Sequence, residues 1–456
     1  MKYGKLGALG AVAVLVLSAC SGSTATTPPA ASTGTGASSA PVGSAPASSG
    51  GAVTPGAWCV GGTVKIGTEL PMSGGETANG VPTANGVKLL IAQVNAAGGV
   101  LGCKLDINVQ DDALNGVHDP QTGAKNMQTL VADPSVIGVV GPFNSGVAEA
   151  EIPISNGAGL LQCSPANTAN AVTQPPEGDQ YRSAHPDKIA YIRTATPDSI
   201  QGPSAADYLY KDLGKTSVYI IDDTETFGVG VGKSFETEFK ALGGTVVKHD
   251  SAPKSTTDYT PLFTAAAALN PQGVYLAGTT PTGMGLALKQ GRTVSGMETI
   301  PFVGPDGVAD LGPGGTQGAT ITIAGAAAAN VYGTVGAAHD LASGSTFVAD
   351  YTTMFGGAPG AYSAAAFACA QIIVDSLTKA AATATDLASA REGVRANAVN
   401  SANTFTTALG DLSFDKNGDN TKPFISFYKV DMTLQGGKGD WTFVKQESFT
   451  DPNATP

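Results

Sequence analysis

The chain has 456 residues and a formal net charge of −12, from 25 Lys and Arg against 37 Asp and Glu. That acidic balance argues against nucleic acid as a partner and against a polybasic surface that hugs membranes. The four histidines (His118, His185, His249, His339) and five cysteines show no CxxC and no metal-ligand spacing, so no metal or other cofactor is expected.

At the N-terminus, Lys2 and Lys5 precede an apolar run from about Leu6 to Leu17. The run is shorter than the roughly 20 residues a membrane span needs and has the layout of a secretory signal. Leu17-Ser18-Ala19-Cys20 resembles a bacterial lipobox, which makes 1–19 a lipoprotein signal peptide and Cys20 the lipid attachment site. Ordinary signal cleavage near the same place is the alternative. Residues 20–61 then read as a disordered Ser/Thr/Pro/Gly/Ala linker, because Ser21 to Thr63 carry no charged side chain and too little apolar surface to offset ordering entropy. The expected location is extracytoplasmic, tethered to the cell membrane.

From Val64 the pattern alternates. Strands are expected at Val64–Thr68, Leu105–Gln110, Val136–Val140, Gly159–Cys163, Ile189–Arg193, Ser217–Ile221, Thr245–Lys248, Gly273–Ala277 and Ile300–Val303. Helical periodicity fills the intervals: Thr83–Ala96, Pro120–Ala132, Val147–Asn156, Gly202–Leu213, Gly230–Leu242, Thr257–Leu269 and Gly283–Thr293. This order predicts an α/β protein with doubly wound parallel sheets. The stretch to about Lys445 is too long for one core, so two lobes are expected. The segments Ala319–Ala324, Asp411–Phe414 and Phe424–Val430 do not fit a simple tandem pair and suggest that the chain crosses between lobes more than once. The Ala-rich stretch near Ala361–Ala382, interrupted by Gln371, Asp375 and Lys379, reads as a buried helix rather than a membrane span.

Cys59 lies five residues before the first strand and Cys103 just before the second. Such strand starts lie side by side in a parallel sheet, so a Cys59–Cys103 disulfide is expected. Cys163 and Cys369 sit in apolar contexts and read as free core thiols, with a second bridge as the alternative.

A set of short motifs occurs in order: Leu70-Pro-Met-Ser-Gly74, Ala96-Ala-Gly-Gly-Val-Leu-Gly102, Asp111-Asp112, Val139-Val-Gly141 with Asn144-Ser145, and Ser164-Pro-Ala-Asn-Thr168. Arg193-Thr194, Gln201-Gly202-Pro203, Phe227-Gly228, Gly304-Pro-Asp-Gly307 and Phe414-Asp-Lys-Asn-Gly-Asp419 follow. Together, from Gly62 to Phe443, they resemble the periplasmic binding proteins that deliver branched-chain amino acids and related compounds to ABC importers. The resemblance implies a type I periplasmic binding fold, with two lobes joined by a three-strand hinge. Lobe one would take 62–193 plus 327–407, lobe two 194–326 plus 408–447, and 448–456 would be a tail. It also implies a monomer that partners an ABC permease in the membrane.

Gly141-Pro-Phe-Asn-Ser-Gly146 joins a strand to a helix start, where free N–H groups and the helix dipole favour an anion. Helix capping by Asn144 or Ser145 is the alternative use of the same groups. The resemblance assigns Ser145 to a ligand α-carboxylate, aided by Thr168 and the backbone around Ala166, Asn167 and Thr168. It assigns Asp306 to the α-ammonium, although Pro-Asp-Gly is also good turn chemistry. Relatives often have tyrosines where this chain has Asn79, Phe227 and Thr279. The polar anchors therefore favour an amino acid, while the altered walls put leucine, isoleucine or valine in doubt.

Gly228-Val-Gly-Val-Gly-Lys-Ser234 lacks the first glycine of a phosphate loop. Asp415-Lys-Asn-Gly-Asp-Asn420 hints at calcium but reaches Ser426 where a glutamate is required, so it reads as a turn. Glu149 and Glu151 read as solvated charge. No nucleophile–base pair is present, so the expected function is capture of an amino acid, small zwitterion or amide for import, with no catalysis. A ligand-sensing receptor of the same fold and an exported amidase are the rivals.

Overall fold

A computed structural model describes residues 56–311 and 318–449. The expected signal peptide, Cys20 and most of the 20–61 linker lie outside the described residues, as does most of the 448–456 tail. The linker's end is not loose as expected: Trp58 is buried, and Cys59 is bridged to Cys103 with a Cα separation of 6.0 Å.

Two sheet-centred lobes form the body. The sheet of lobe one is parallel as expected, whereas that of lobe two is mixed, because Phe424–Asp431 pairs antiparallel with both Val331–Val335 and Asp440–Ser448. Lobe one is built on β1 (Thr63–Leu70), β2 (Lys104–Asp111), β3 (Val136–Val140), β4 (Gln162–Ser164) and β5 (Tyr191–Arg193), in the order β2-β1-β3-β4-β5. Helices α1 (Thr77–Ala96), α2 (Pro120–Ala132) and α3 (Ser145–Ala158) connect them. Lobe two orders seven strands β12-β11-β10-β9-β8-β6-β7. These are β6 (Ser217–Asp222), β7 (Thr245–Ser251), β8 (Gly273–Ala277), β9 (Phe302–Gly304), β10 (Val331–Val335), β11 (Phe424–Asp431) and β12 (Asp440–Ser448). Its helices begin with α4 (Asp198–Asp207), α5 (Thr226–Ala241), α6 (Thr260–Ala267), α7 (Gly285–Gly291) and α8 (Ala319–Ala324).

Strand alternation explains the layering. On β6, Val218 and Ile220 pack with Phe235 and Phe239 of α5, while Tyr219 and Ile221 face the side that holds Phe263 of α6 and Leu288 of α7. Successive side chains point to opposite faces, and helices cover both, so the run Val218–Ile221 is apolar throughout.

The chain crosses between lobes three times, after β5, after β10 and before β11. Val331–Val335, expected in lobe one, pairs with β9 and β11 in lobe two. The return therefore comes after Val335, with α9 (Phe347–Phe355), α10 (Ser363–Ala380) and α11 (Leu387–Ala398). The hairpin Phe405–Thr407 with Gly410–Leu412 then packs on α10 in lobe one, later than the expected boundary at 408. Among the late segments, Ala319–Ala324 is a short helix.

Cys163 and Cys369, expected as free thiols, form a second disulfide with a Cα separation of 5.5 Å. The two residues are 206 positions apart, and only the return of α10 to lobe one brings them together. Gly228–Ser234 lies inside α5, where no phosphate loop exists.

The crossovers are tied to one another. Thr196 donates its N–H to Gly336 O at 2.9 Å, while its Oγ1 donates to Phe424 O at 2.6 Å and accepts from Phe424 N at 2.9 Å. Arg193 and Asp419, both fully buried, form an ion pair at 2.7 Å. The Asp415–Asn420 segment is a turn, with Asp415 Oδ1 accepting from Asn417 N and Asp419 N. Gly418 sits at φ 93°, and a Cβ there would collide with Tyr191 O, so only glycine fits. Removing one partner of a buried pair typically costs about 3–5 kcal/mol. Asp419→Ala is expected to lose stability on that scale, read from the denaturant midpoint against the wild-type chain.

Candidate functional site

The C-terminal ends of both sheets face one cavity, the general position for ligands of open α/β sheets. Lobe one contributes Phe143, Asn144, Ser145, Ala166 and Thr168, and lobe two contributes Phe227, Thr279, Asp306 and Gly307. The cavity measures about 30 Å³. A wider opening of about 370 Å³, walled by Phe347, Tyr428, Trp441 and Phe443 among others, shares no residue with it.

Seven of the nine sequence-derived ligand residues line this cavity; Asn79 and Asn167 do not. Asn79 lies near the start of α1, where its carbonyl accepts from Thr83 Oγ1 at 2.7 Å. Asn167 is fully buried, with both amide atoms unpartnered.

The anion end is built at the head of α3. Gly141 takes φ 141°, and a Cβ there would collide with Glu69 O, so glycine lets the loop turn over the sheet. Asn144 is the N-cap residue but makes no side-chain cap bond, and its Oδ1 is buried without a partner. The helix therefore presents its first N–H groups, with Ser145 as the first helical residue, to the cavity side. Ser164, which sequence reasoning left without a role, braces the opposite loop. Its Oγ donates to Pro142 O at 2.6 Å and accepts from Asn167 N at 2.9 Å and Ala166 N at 3.3 Å. Those two backbone donors, expected to meet a carboxylate, are thus already engaged.

The cation end is built around Asp306. Its Oδ1 accepts from Gln201 Nε2 at 3.0 Å, and its Oδ2 accepts from the Tyr362 hydroxyl. The same Gln201 Nε2 donates to Asp198 Oδ1 at 3.1 Å, so one amide spans two carboxyls. Burial raises the pKa of Asp306 to about 6, against the hydrogen bonds from Tyr362 and Gln201. Burial and the Asp306 charge raise that of Asp198 to about 7. No Lys, Arg or His lines the cavity among the described residues.

Sequence reasoning missed Tyr362, Asp198 and Phe143 as members of the site, and gave Gln201 no role. Phe143 and Gln201 sit inside motifs already singled out. Tyr362 lies 56 residues beyond Asp306, on the other lobe, and carries no local signal. Thr279 is largely occupied as an N-cap, paired with Thr282 and with its N–H on Asp223 Oδ2 at 3.1 Å.

Glu151, expected on a solvated face, is fully buried beneath this loop. It accepts from Gln162 Nε2 at 2.7 Å, and Asn126 Nδ2 donates to Glu69 at 3.0 Å. Burial, followed by the Glu69 charge, raises the pKa of Glu151 well above the carboxyl range, and the same two causes raise that of Asp112. Helical spacing placed Glu151 and Glu149 on different faces; it could not say that α2 and β4 would cover one of them. Glu149 instead meets lobe two, accepting from Thr226 Oγ1 at 3.2 Å.

Two sheet-centred lobes, a triple crossover and a cavity walled from both sides by short polar side chains, Asp306 and two phenylalanines define a two-lobed solute-binding protein. The family model described as periplasmic binding protein matches residues 63–438, and the chain belongs to that family. The Leu/Ile/Val-binding protein homolog 1 of Brucella abortus (strain 2308) is 27% identical over 385 residues, covering 84% of this chain and 94% of that protein. The LivJ substrate-binding protein of Streptococcus pneumoniae, solved with isoleucine, matches with TM-score 0.68 at 22% identity, covering 85% and 99% of the two chains. A solute-binding protein of Rhodopseudomonas palustris BisB5, solved with 3,4-dihydroxybenzoic acid, matches with TM-score 0.67 at 22% identity, covering 86% and 100%. At these identities the two structures speak to the fold. No helix among the described residues is long and apolar enough to cross a membrane.

A group whose folded pKa is raised supports folding below its unfolded pKa, and that support is lost as pH rises through the folded value. Glu151→Gln keeps the hydrogen-bonding shape without the titration. The variant is expected to melt above wild type at pH 8 and to lose that advantage at pH 4; equal differences at both pH values would remove the assignment.

Proposed function

We propose that this chain is an extracytoplasmic solute-binding lipoprotein that captures an amino acid, or a related small zwitterion or amide, between two closing lobes. It hands that ligand to an ABC import permease and performs no chemistry. One observation carries the reading: the α3 N-terminus with Ser145 in lobe one faces Asp306 in lobe two across one cavity. A helix N-terminus favours an anion, and a carboxylate with no basic side chain lining its cavity favours a cation. A dipolar guest satisfies both only when the lobes are together, so ligand binding stabilises closure.

The Brucella relative is named for Leu, Ile and Val, and the Rhodopseudomonas structure holds a benzoic acid. Asp306 favours a zwitterion over a simple aromatic acid. Thr279 and Phe227 give a less uniformly apolar wall than branched aliphatic side chains prefer, which supports a more polar amino acid or an amide. Lipid on Cys20 and the linker at 20–61 would hold a monomeric receptor at the outer face of its permease.

Mass spectrometry of small molecules released from the purified protein tests the ligand class directly, and uptake measured against ligand-dependent signalling separates transport from sensing. Asp306→Ala is expected to abolish amino-acid binding in calorimetry while circular dichroism stays unchanged; retained affinity would remove the zwitterion model. Ser145→Ala is expected to weaken binding by roughly 1.5–3 kcal/mol, the range for a hydrogen bond to a charge. A change in melting temperature alone would return Ser145 to helix capping.

A further inference from the structure

Tyr362 stands at the N-cap of α10 in lobe one, almost wholly buried, with its ring edge-on to Phe143 at 5.3 Å. Its hydroxyl donates to Asp306 in lobe two. One phenol therefore joins a lobe-one helix to the proposed cation seat. The disulfide Cys163–Cys369 ties α10 to β4, the strand that leads into Ala166–Thr168, so the tyrosine and the anion-side loop share one rigid frame.

The acceptor geometry matters for what Asp306 can bind. Gln201 takes one site on Oδ1 and Tyr362 one on Oδ2. A carboxylate offers about four acceptor sites; the nearby backbone N–H groups of Asp306 and Gly307 also favour its charged form, and the remaining capacity is available to a ligand. The carboxylate is held in a single orientation by a donor from each lobe, and the donor from lobe one is in reach only when the lobes are together.

Resting on the reading of Asp306 as the ammonium seat, we propose that Tyr362 is a positioning residue for ligand recognition. Its hydroxyl, reaching across the lobe interface, orients Asp306 and holds it as an anion for a cationic nitrogen of the ligand. The groups facing Asp306 are Asp198 and Gln201 from α4, Tyr275 from β8 and Tyr362 from the head of α10. Arg193 bears on this set only through Asp198. Burial and the Asp306 charge raise the Tyr362 pKa well above the ordinary phenol value, so it remains a donor at physiological pH. Without its hydrogen bond, Asp306 loses the largest influence opposing burial and is harder to ionise.

The test uses the chain with wild-type, Tyr362→Phe and Asp306→Asn forms. The probes are the proteinogenic amino acids, with 4-hydroxybenzoate as a carboxylate lacking a cation. The amino acid giving the largest thermal shift goes to calorimetry between pH 5 and pH 8. Phenylalanine keeps the ring against Phe143, so the fold is expected to be retained. Wild-type affinity should fall below about pH 6. Tyr362→Phe should move that midpoint upward and weaken binding roughly tenfold at pH 7.5. An unchanged midpoint and affinity in Tyr362→Phe would overturn the role of Tyr362 while leaving the ammonium seat intact. Wild-type affinity retained in Asp306→Asn, or binding of 4-hydroxybenzoate but of no amino acid, would overturn the seat and this proposal with it.

Discussion

The buried ion pair between Arg193 and Asp419 is the constraint on which the rest of the molecule depends. Taking both charges out of water is costly, and only close geometry with further hydrogen bonds offsets it. The structure meets that condition fully. Arg193 also donates to Ala169 O at 2.7 Å and Thr173 Oγ1 at 2.8 Å, while Asp419 Oδ2 accepts from Thr173 Oγ1 at 3.1 Å. One guanidinium thus locks the last strand of lobe one, the loop beyond Thr168 and the third crossover into one arrangement. The cavity wall and the hinge are set by the same residue.

From that anchor the lobes divide the electrostatics between them. Lobe one meets the cavity with a helix N-terminus and short polar side chains, and it keeps its buried acids Glu69, Asp112 and Glu151 beneath the loop. Lobe two meets it with Asp306, backed by Asp198 through Gln201. The acids of the two lobes have opposite uses. Beneath the loop, burial and neighbouring charge raise the pKa values of the carboxyls, whereas Asp306 keeps hydrogen-bond donors that favour its anion. Both groups include amide donors and a second carboxyl; what Asp306 adds is the Tyr362 phenol, whose hydrogen bond favours the ionised form.

The two disulfides act at different levels of this organisation. Cys59–Cys103 pins the entry of the chain to the start of β2, a local staple. Cys163–Cys369 joins two pieces of lobe one that are separated in sequence by the whole lobe-two excursion. It makes lobe one a unit despite its discontinuity, and it fixes α10 against the strand that carries the anion-side loop.

Much of this organisation is legible in the order of the residues alone. Apolar runs bounded by glycine, such as Val136–Val140 and Gly273–Ala277, announce strands buried on both faces, and their alternation with helical periods demands parallel sheets. The Gly141–Gly146 and Gly304–Gly307 loops announce sites, because strand-to-helix turns must expose backbone donors and acceptors. What the sequence could not decide were events between residues far apart along it. Glu151 looks solvated until α2 and β4 cover it, Cys163 and Cys369 look idle until α10 returns, and Tyr362 carries no signal until the lobes meet. Local pattern determines secondary structure because sterics and periodicity act over a few residues. Burial, pairing and charge state wait on the tertiary fold, which alone decides which surfaces leave water together.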